Sequence, residues 1–159
     1  DEVAWYENVG GGIFGSRQSI TTSAERARSV YAVDLDGDGD ADVISASRGD
    51  DKIAWYENDG GQNFTPHTIS AAADGPWSVF AVDVDGDGDL DVAVASYTAF
   101  IVRWYENDGR GGFTPHDIDV GHQQQAYDLK AADLDGDGRI DLILAGRETR
   151  NAVVYFNRR

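Results

Sequence analysis

The chain has 159 residues, with 29 acidic side chains against 13 Lys and Arg and a formal net charge of −16. This length is enough for one domain with a buried core, whereas the negative charge disfavours nucleic acid, which proteins bind mainly through Lys and Arg. Cysteine is absent, which excludes disulfides and thiol chemistry, and no apolar run approaches the ~20 residues of a membrane-spanning helix.

Three motifs return along the chain in the same order, at steps of 49 or 50 residues. The tetrapeptide Trp-Tyr-Glu-Asn begins at Trp5, Trp55 and Trp104. A Gly-containing turn followed by Phe comes next in each unit. Acidic nine-residue segments begin at Asp34, Asp83 and Asp133. Such a period indicates a repeat protein in which each unit is one supersecondary structure.

Each repeat predicts four short β-strands. In the unit that is easiest to delimit, β-branched and aromatic residues predict strands over 29–33, 42–46, 53–57 and 64–69. Asp59-Gly60 between the last two predicts a hairpin turn, since glycine tolerates the positive φ of tight turns. No segment has a sustained period of 3.6 residues, so the pattern predicts an all-β chain of about thirteen strands.

Four-stranded units of this length are typical of the blades of a β-propeller. The predicted division is a partial blade over 1–27, blades over 28–76 and 77–126, and a partial blade over 127–159. Closed propellers have roughly four to eight blades, so an incomplete ring is expected. Two explanations stay open: the chain is part of a longer protein, or copies associate through their edge blades.

The acidic segments hold 14 of the 29 carboxylates, and so many charges within nine residues predict a bound cation. Calcium fits best, because it takes six to eight oxygen ligands in irregular loops. The predicted side-chain ligands are Asp34, Asp36, Asp38 and Asp42 in the first segment, Asp83, Asp85, Asp87 and Asp91 in the second, and Asp133, Asp135, Asp137 and Asp141 in the third. Backbone carbonyls are predicted as ligands at the seventh positions, Asp40, Asp89 and Arg139.

With these loops the chain resembles the FG-GAP/VCBS-type repeats, whose calcium loop reads D-x-D-x-D-G-x-x-D and which build integrin-α-like propellers. The resemblance implies three structural Ca²⁺ ions, each in the hairpin between the first and second strands of a blade. It also implies a secreted or cell-surface setting, with roles in adhesion, as lectins or as modules of secreted polysaccharide-active enzymes. In such propellers, ligands usually bind loops on the face opposite the calcium loops.

Segments that differ between repeats are the best candidates for ligand recognition, because they can distinguish one blade from the next. Aromatic, amide and guanidinium groups in these segments suit sugars, which offer apolar ring faces and hydroxyls. The candidate ligand-binding residues are Arg26, Arg28, Trp77, His122, Gln124 and Tyr127. Separately, Asn63-Phe64-Thr65 is a glycosylation sequon beside a predicted turn, which makes Asn63 a candidate glycosylation site.

The recurrence of His67 and His116 at equivalent positions predicts structural roles for both, and the same holds for Glu57 and Glu106. We therefore expect a non-enzymatic, extracellular, calcium-binding module for adhesion, glycan binding or self-assembly. Its expected partners are a glycan or protein ligand or further copies of the chain, without nucleic acid or membrane insertion. The alternative is an accessory or catalytic fragment of a secreted polysaccharide-degrading enzyme.

Overall fold

Thirteen β-strands make up the regular structure of the computed structural model, which describes residues 1–120, 126–146 and 151–158. The strands are β1 (Val3–Gly10), β2 (Ile13–Thr21), β3 (Ala27–Val33), β4 (Asp42–Ser47), β5 (Lys52–Asn58), β6 (Phe64–Ser70), β7 (Pro76–Val82), β8 (Asp91–Ser96), β9 (Ile101–Asn107), β10 (Phe113–Val120), β11 (Ala126–Ala132), β12 (Asp141–Gly146) and β13 (Ala152–Tyr155).

The strands form four antiparallel sheets in which chain neighbours pair. Sheet one is β1-β2, sheet two β3-β4-β5-β6, sheet three β7-β8-β9-β10 and sheet four β11-β12-β13. The all-β prediction is confirmed, and each strand predicted for the second sheet agrees with the observed strand within two residues. The described sheets do not close into a ring, as expected of an incomplete propeller. Across the described ranges, no helix is long and apolar enough to cross a membrane.

Strand β8 of sheet three is buried on both faces, because this sheet packs between sheets two and four. On β8, Val92 and Val94 belong to the core shared with sheet two, whereas Ala93 and Ala95 belong to the core shared with sheet four. The period of two in a strand thus supplies one apolar set to each neighbour. The first strands of sheets two and three also meet directly. The Val79 N–H on β7 donates to Ser29 Oγ on β3 (3.3 Å).

In sheets two, three and four, the first strand (β3, β7 or β11) is here called the inner strand. Each inner strand has a β-bulge at the same place. Ala27 pairs with Ser47 and Ser29 with Ala46, so Arg28 is the extra residue on β3. Trp77 on β7 and Tyr127 on β11 are extra residues in the same way. The bulges lie at one end of the inner strands, and the acidic segments lie at the other, since Val33 pairs with Asp42. The two ends therefore offer two separate surfaces.

Candidate functional site

The acidic segments fold into three equivalent loops, here called acidic loops, at residues 34–42, 83–91 and 133–141. The first carboxylate organises each loop: Asp34 accepts N–H groups from Gly37 (2.8 Å) and Gly39 (3.0 Å). Both glycines have positive φ, +77° and +99°, which side-chain-bearing residues rarely adopt. The sequence folds this way because the D-x-D-G-D-G pattern places glycine where the chain turns back on its own carboxylate.

The ninth residue of each loop is a buried aspartate that ties the loop to the third strand of its sheet. Asp42 accepts N–H groups from Leu35 (3.1 Å) and Asn58 (2.8 Å). The corresponding residues Asp91 and Asp141 accept the N–H groups of Asn107 (2.9 Å) and Asn157 (2.8 Å). The recurring Asn at the end of the Trp-Tyr-Glu-Asn segment is therefore part of the loop's framework, which the spacing of the motifs did not reveal.

The structure brings together carboxylate oxygens from positions 1, 3 and 9 of each loop, within 4.8 Å of one another. The three groups are Asp34, Asp36 and Asp42; Asp83, Asp85 and Asp91; and Asp133, Asp135 and Asp141. This donor set fits calcium, because two oxygens at about 2.4 Å from one ion lie up to about 4.8 Å apart. Bound there, Ca²⁺ would supply positive charge that holds the carboxylates together.

The carboxylates of position 5 lie outside these groups. Asp38 and Asp87 each accept the N–H group of position 7, at 2.9 Å in both loops. The seventh residues turn their backbone N–H into the loop in this way, and calcium ligation by their carbonyls stays a prediction. Asp137 is also bound by the guanidinium of Arg139, whose Nε donates to the carbonyl of Asn157 (3.1 Å). The third loop thus carries its own cation, unlike the other two.

Burial of the carboxylates, and to a smaller extent their crowding, raises the pKa values of three of them. Burial raises the pKa of Asp91 to about 6; its backbone N–H partners lower it, and the charges of Asp85 and Asp87 raise it further. Burial also raises the pKa of Asp36 and of Asp85, with smaller contributions from neighbouring carboxylates. A divalent cation among these groups would favour their ionised forms.

A cavity of about 500 Å³ lies between sheets three and four, beside the second and third acidic loops. We call it the inter-sheet cavity. From sheet three it is lined by Asp85 of the acidic loop and by Trp104 and His116. From the other side it is lined by Arg139 and by residues 155–158 at the end of β13. Phe156 is 47% exposed at this cavity, and the Arg158 Cζ lies over its ring, 5.8 Å from the centroid.

A Trp, a His and a Glu form the same triplet in sheets two and three. His116 stacks on Trp104 with ring centroids 4.6 Å apart, and its Nε2 is 2.6 Å from Glu106 Oε2. His67, Trp55 and Glu57 repeat the arrangement, with corresponding distances of 4.6 and 2.7 Å. These contacts agree with the predicted structural roles. Trp104 and His116 also line the inter-sheet cavity, and the triplet of sheet two lines a smaller cavity between sheets two and three, which was not predicted.

Two polar contacts at the inter-sheet cavity are particular to sheet three, where the sequence has aspartates in place of Thr68 and Ser70. Arg103 Nε donates to Asp117 Oδ1 (2.5 Å), and the Tyr155 hydroxyl donates to Asp119 Oδ2 (2.6 Å). Burial and the bond to Asp119 raise the pKa of Tyr155 well above its usual range. The phenol therefore stays protonated.

At the opposite end of the sheets, the structure gathers three of the six predicted ligand-binding residues. Trp77 lies between Arg28 and Tyr127, with 4.5 Å to the Arg28 Cζ and 4.9 Å to the Tyr127 ring. The predicted residue Arg26 is not part of these ring contacts; its N–H donates to Asp1 (2.9 Å). The other two, His122 and Gln124, lie outside the described residues.

Asn63 is exposed beside the β5–β6 turn, as the sequon predicted, and its Nδ2 donates to Asp59 Oδ2 (2.9 Å). The sequence alone could not show that the glycosyl-acceptor nitrogen is engaged in a hydrogen bond. Glycosylation at Asn63 stays a prediction.

Antiparallel sheets repeating every 50 residues or so, each inner hairpin closed by an acidic loop, define a β-propeller-type repeat protein. The chain belongs to the FG-GAP-like repeat family, whose model matches residues 1–45, 34–94 and 83–144. Among solved structures, 23 chains match. One is an Agrocybe aegerita lectin described as specifically recognising non-reducing terminal N-acetylglucosamine, with 22% identity and a TM-score of 0.59. The match covers 90% of this chain but 42% of the lectin chain. A search of curated proteins finds no match.

Proposed function

We propose that this chain is a calcium-stabilised glycan-binding module that acts outside the cell and performs no catalysis. The observation that carries the proposal is the inter-sheet cavity, which combines an exposed aromatic ring with carboxylate, guanidinium and amide groups. Sugars are recognised by such combinations, because their C–H faces pack on aromatic rings while their hydroxyls bond polar groups. The lectin with a similar fold supports a carbohydrate as the ligand.

Several side chains around the cavity are held in place before any ligand arrives. His116 is fixed between Trp104, which is 5% exposed, and Glu106. Asn157 Nδ2 donates to the carbonyl of Val84 (2.8 Å), which joins the end of sheet four to the second acidic loop. Prior ordering of this kind lowers the entropy that binding costs. The prior ordering of these side chains therefore supports a binding role for the inter-sheet cavity.

Calcium in the acidic loops would act on this site through the framework. Asp85 belongs to one of the carboxylate groups and also lines the cavity, while Asn157 is bound to Asp141 of the third loop. Neutralising these carboxylates would therefore fix one wall of the cavity. The proposed extracellular setting would supply calcium in the range in which the weak sites of extracellular modules fill, 10⁻⁴–10⁻³ M.

The groups at the cavity favour binding over catalysis. Asp117 is paired with Arg103, and Tyr155 has a raised pKa, so neither is poised as a general base. Glu106 is held by His116, an arrangement that sheet two repeats with Glu57 and His67. A repeated pair fits a framework better than it fits a single catalytic centre. These observations support the binding module over the polysaccharide-degrading alternative.

Phe156→Ala is expected to weaken sugar binding about tenfold, because it removes the exposed aromatic side chain of the cavity. The measurement is titration calorimetry of the calcium-loaded chain with chitotriose, whose end is a terminal N-acetylglucosamine. Phe14→Ala is the matched control, since Phe14 is also exposed (63%) but lies on sheet one, away from the cavity. Equal affinity of the two variants, or no binding by the unaltered chain across neutral oligosaccharides, would contradict the proposal.

A further inference from the structure

A cluster of two arginines and three aromatic residues lies at the end of the sheets opposite the acidic loops. We call it the arginine–aromatic cluster. The Trp77 ring lies 5.1 Å from the Tyr97 ring and 4.9 Å from the Tyr127 ring, centroid to centroid. Arg28 Cζ is 4.5 Å from the centroid of Trp77, and Arg48 Cζ is 4.9 Å from that of Tyr97.

Two positions of the repeat generate the whole cluster. Arg28, Trp77 and Tyr127 are the extra residues of the three bulges, which re-aim a side chain out of the regular alternation. Arg48 and Tyr97 directly follow the second strands of sheets two and three. Because the inner strands of successive sheets pack side by side, these equivalent positions converge. Neither Arg48 nor Tyr97 stood out in the sequence as a candidate.

The segment that leads into β7, just before Trp77, is anchored to sheet two and to its own sheet three. The Tyr97 N–H donates to the carbonyl of Gly75 (2.9 Å), and the Gly75 N–H donates to Asp51 Oδ1 (2.7 Å). The Arg48 N–H donates to the carbonyl of Arg26 (3.3 Å). These bonds fix the backbone at or beside Trp77, Tyr97 and Arg48. The surface is therefore ordered before it meets a partner.

Both guanidiniums keep hydrogen-bonding capacity that nothing in the described part of the chain takes up. Neither Arg28 nor Arg48 has a described carboxylate within 4.0 Å. The only two lysines pair with acids close to the cluster in sequence: Lys52 with Asp50 (2.9 Å) and Lys130 with Asp128 (3.1 Å). The chain has a net charge of −16, so two arginines that have no described carboxylate partner and lie over aromatic rings make this part of the surface locally positive.

The geometry points to a second binding site at the arginine–aromatic cluster, which takes an acidic saccharide, a sugar residue that carries a carboxylate or a sulfate ester. The planar guanidiniums present N–H donors in a fork that matches either oxyanion. The three rings are half-buried and retain exposed surface for the apolar C–H face of the sugar. The site lies away from the inter-sheet cavity and does not depend on the function proposed for that cavity.

The test is titration calorimetry of the calcium-loaded chain with three tetrasaccharides. Tetragalacturonate carries carboxylates, sulfated maltotetraose carries sulfates, and maltotetraose is the neutral reference. We expect binding of one or both acidic probes at least about tenfold tighter than binding of maltotetraose. The acidic probe that binds identifies the source of the oxyanion. Tetraglutamate tests whether an acidic peptide competes as well as the sugar.

Variants then separate this site from general charge effects. Arg28→Gln with Arg48→Gln should lower the affinity for the acidic probe at least about tenfold, and Arg48→Lys should give a smaller loss, because lysine keeps the charge without the fork. Arg17→Gln, which removes an exposed arginine paired with Glu2 on sheet one, should change nothing. Phe156→Ala should also leave this binding intact, whatever it does to neutral sugars.

Four results would overturn the inference. They are equal binding of the neutral and acidic tetrasaccharides, equal losses in Arg17→Gln and the double arginine variant, tetraglutamate binding as tightly as the sugars, and absence of binding by every probe. Circular dichroism of each calcium-loaded variant confirms that it is folded before its affinity is compared. Arg48→Lys serves as the readout if the double variant fails to fold.

Discussion

At the scale of single residues, position 7 distinguishes the third acidic loop from the other two. Asp40 and Asp89 occupy it in the first and second loops, and Arg139 occupies it in the third. The guanidinium binds Asp137, so it neutralises part of the charge that a calcium ion would otherwise compensate. Asp137 is not one of the three carboxylates grouped around the metal position, but the positive charge of Arg139 beside them weakens the attraction of the third loop for calcium, which makes the loops unequal.

Arg139→Asp is therefore expected to raise the calcium affinity of the third loop about tenfold, because it frees Asp137 and adds a negative charge. The reciprocal change, Asp89→Arg, should weaken the second loop by a similar factor. Calorimetric titration of the calcium-free protein measures each site. If both variants titrate like the unaltered chain, position 7 has no electrostatic influence on the metal and the comparison between loops is wrong.

At the scale of an element, the β5–β6 hairpin shows what the sequence could and could not predict. The Asp-Gly turn and the flanking strands followed from residue types, and counting outward from the turn places Trp55 opposite His67, as observed. That count could have identified the Trp–His–Glu triplet in advance. The contact between Gly60 in this turn and Asp40 in the first acidic loop could not be predicted from the sequence. It depends on the relative orientation of two hairpins of the same sheet.

Gly60→Ala tests that contact. Gly60 has φ +75°, and a Cβ on it would overlap Asp40 Oδ2 of the acidic loop, whose side chain has to turn aside, so we expect a loss of about 1–2 kcal/mol in the free energy of unfolding. Urea denaturation of the calcium-loaded protein measures it. Gly10, the equivalent residue of sheet one, has φ +94° and no atom within 4 Å of such a Cβ. Gly10→Ala should therefore cost only about 1 kcal/mol.

The double variant Gly60→Ala with Asp40→Ala separates the two causes of that loss. Removing the carboxylate leaves the backbone strain and abolishes the overlap, so the remaining loss should approach that of Gly10→Ala, once the effect of Asp40→Ala alone is subtracted. A double variant as unstable as the sum of the single ones would show that Asp40 does not press on the hairpin.

At the scale of the whole molecule, the acidic loops concentrate charge that the fold must accommodate. Three calcium ions would change the formal charge from −16 to −10, and each ion at ten times its dissociation constant would add about 1.4 kcal/mol to the stability. Together they are a substantial share of what holds a domain of this size folded. The apolar cores on both sides of sheet three supply the rest.

Chelation with EGTA is accordingly expected to lower the melting temperature by roughly 10 °C, with recovery on addition of calcium and less recovery with magnesium. Far-ultraviolet circular dichroism follows the melting, because its signal reports the total β-structure of the chain. Buffer of matched ionic strength controls for general screening of the carboxylates. Melting that is identical with and without calcium would rule out a stabilising metal.

The repeat made the strands, their order and the acidic loops predictable, because all three are local in sequence. The inter-sheet cavity and the arginine–aromatic cluster were only partly predictable, since they are assembled from different sheets. Arg28, Trp77 and Tyr127 were recognised as residues that differ between repeats, and Arg48 and Tyr97 were missed. What the sequence lacks is the packing of one sheet on the next, which decides which variable residues become neighbours.

The recurring bulge separates recognition from architecture. Residues 28, 77 and 127 are supernumerary in their ladders, so exchanging one leaves the pairing of its neighbours intact. Each of these repeats therefore presents one exchangeable surface position at its bulge, and these positions can be substituted one at a time. A scaffold of this kind can acquire a new binding specificity through substitutions at its bulge positions, without any change in its apolar cores.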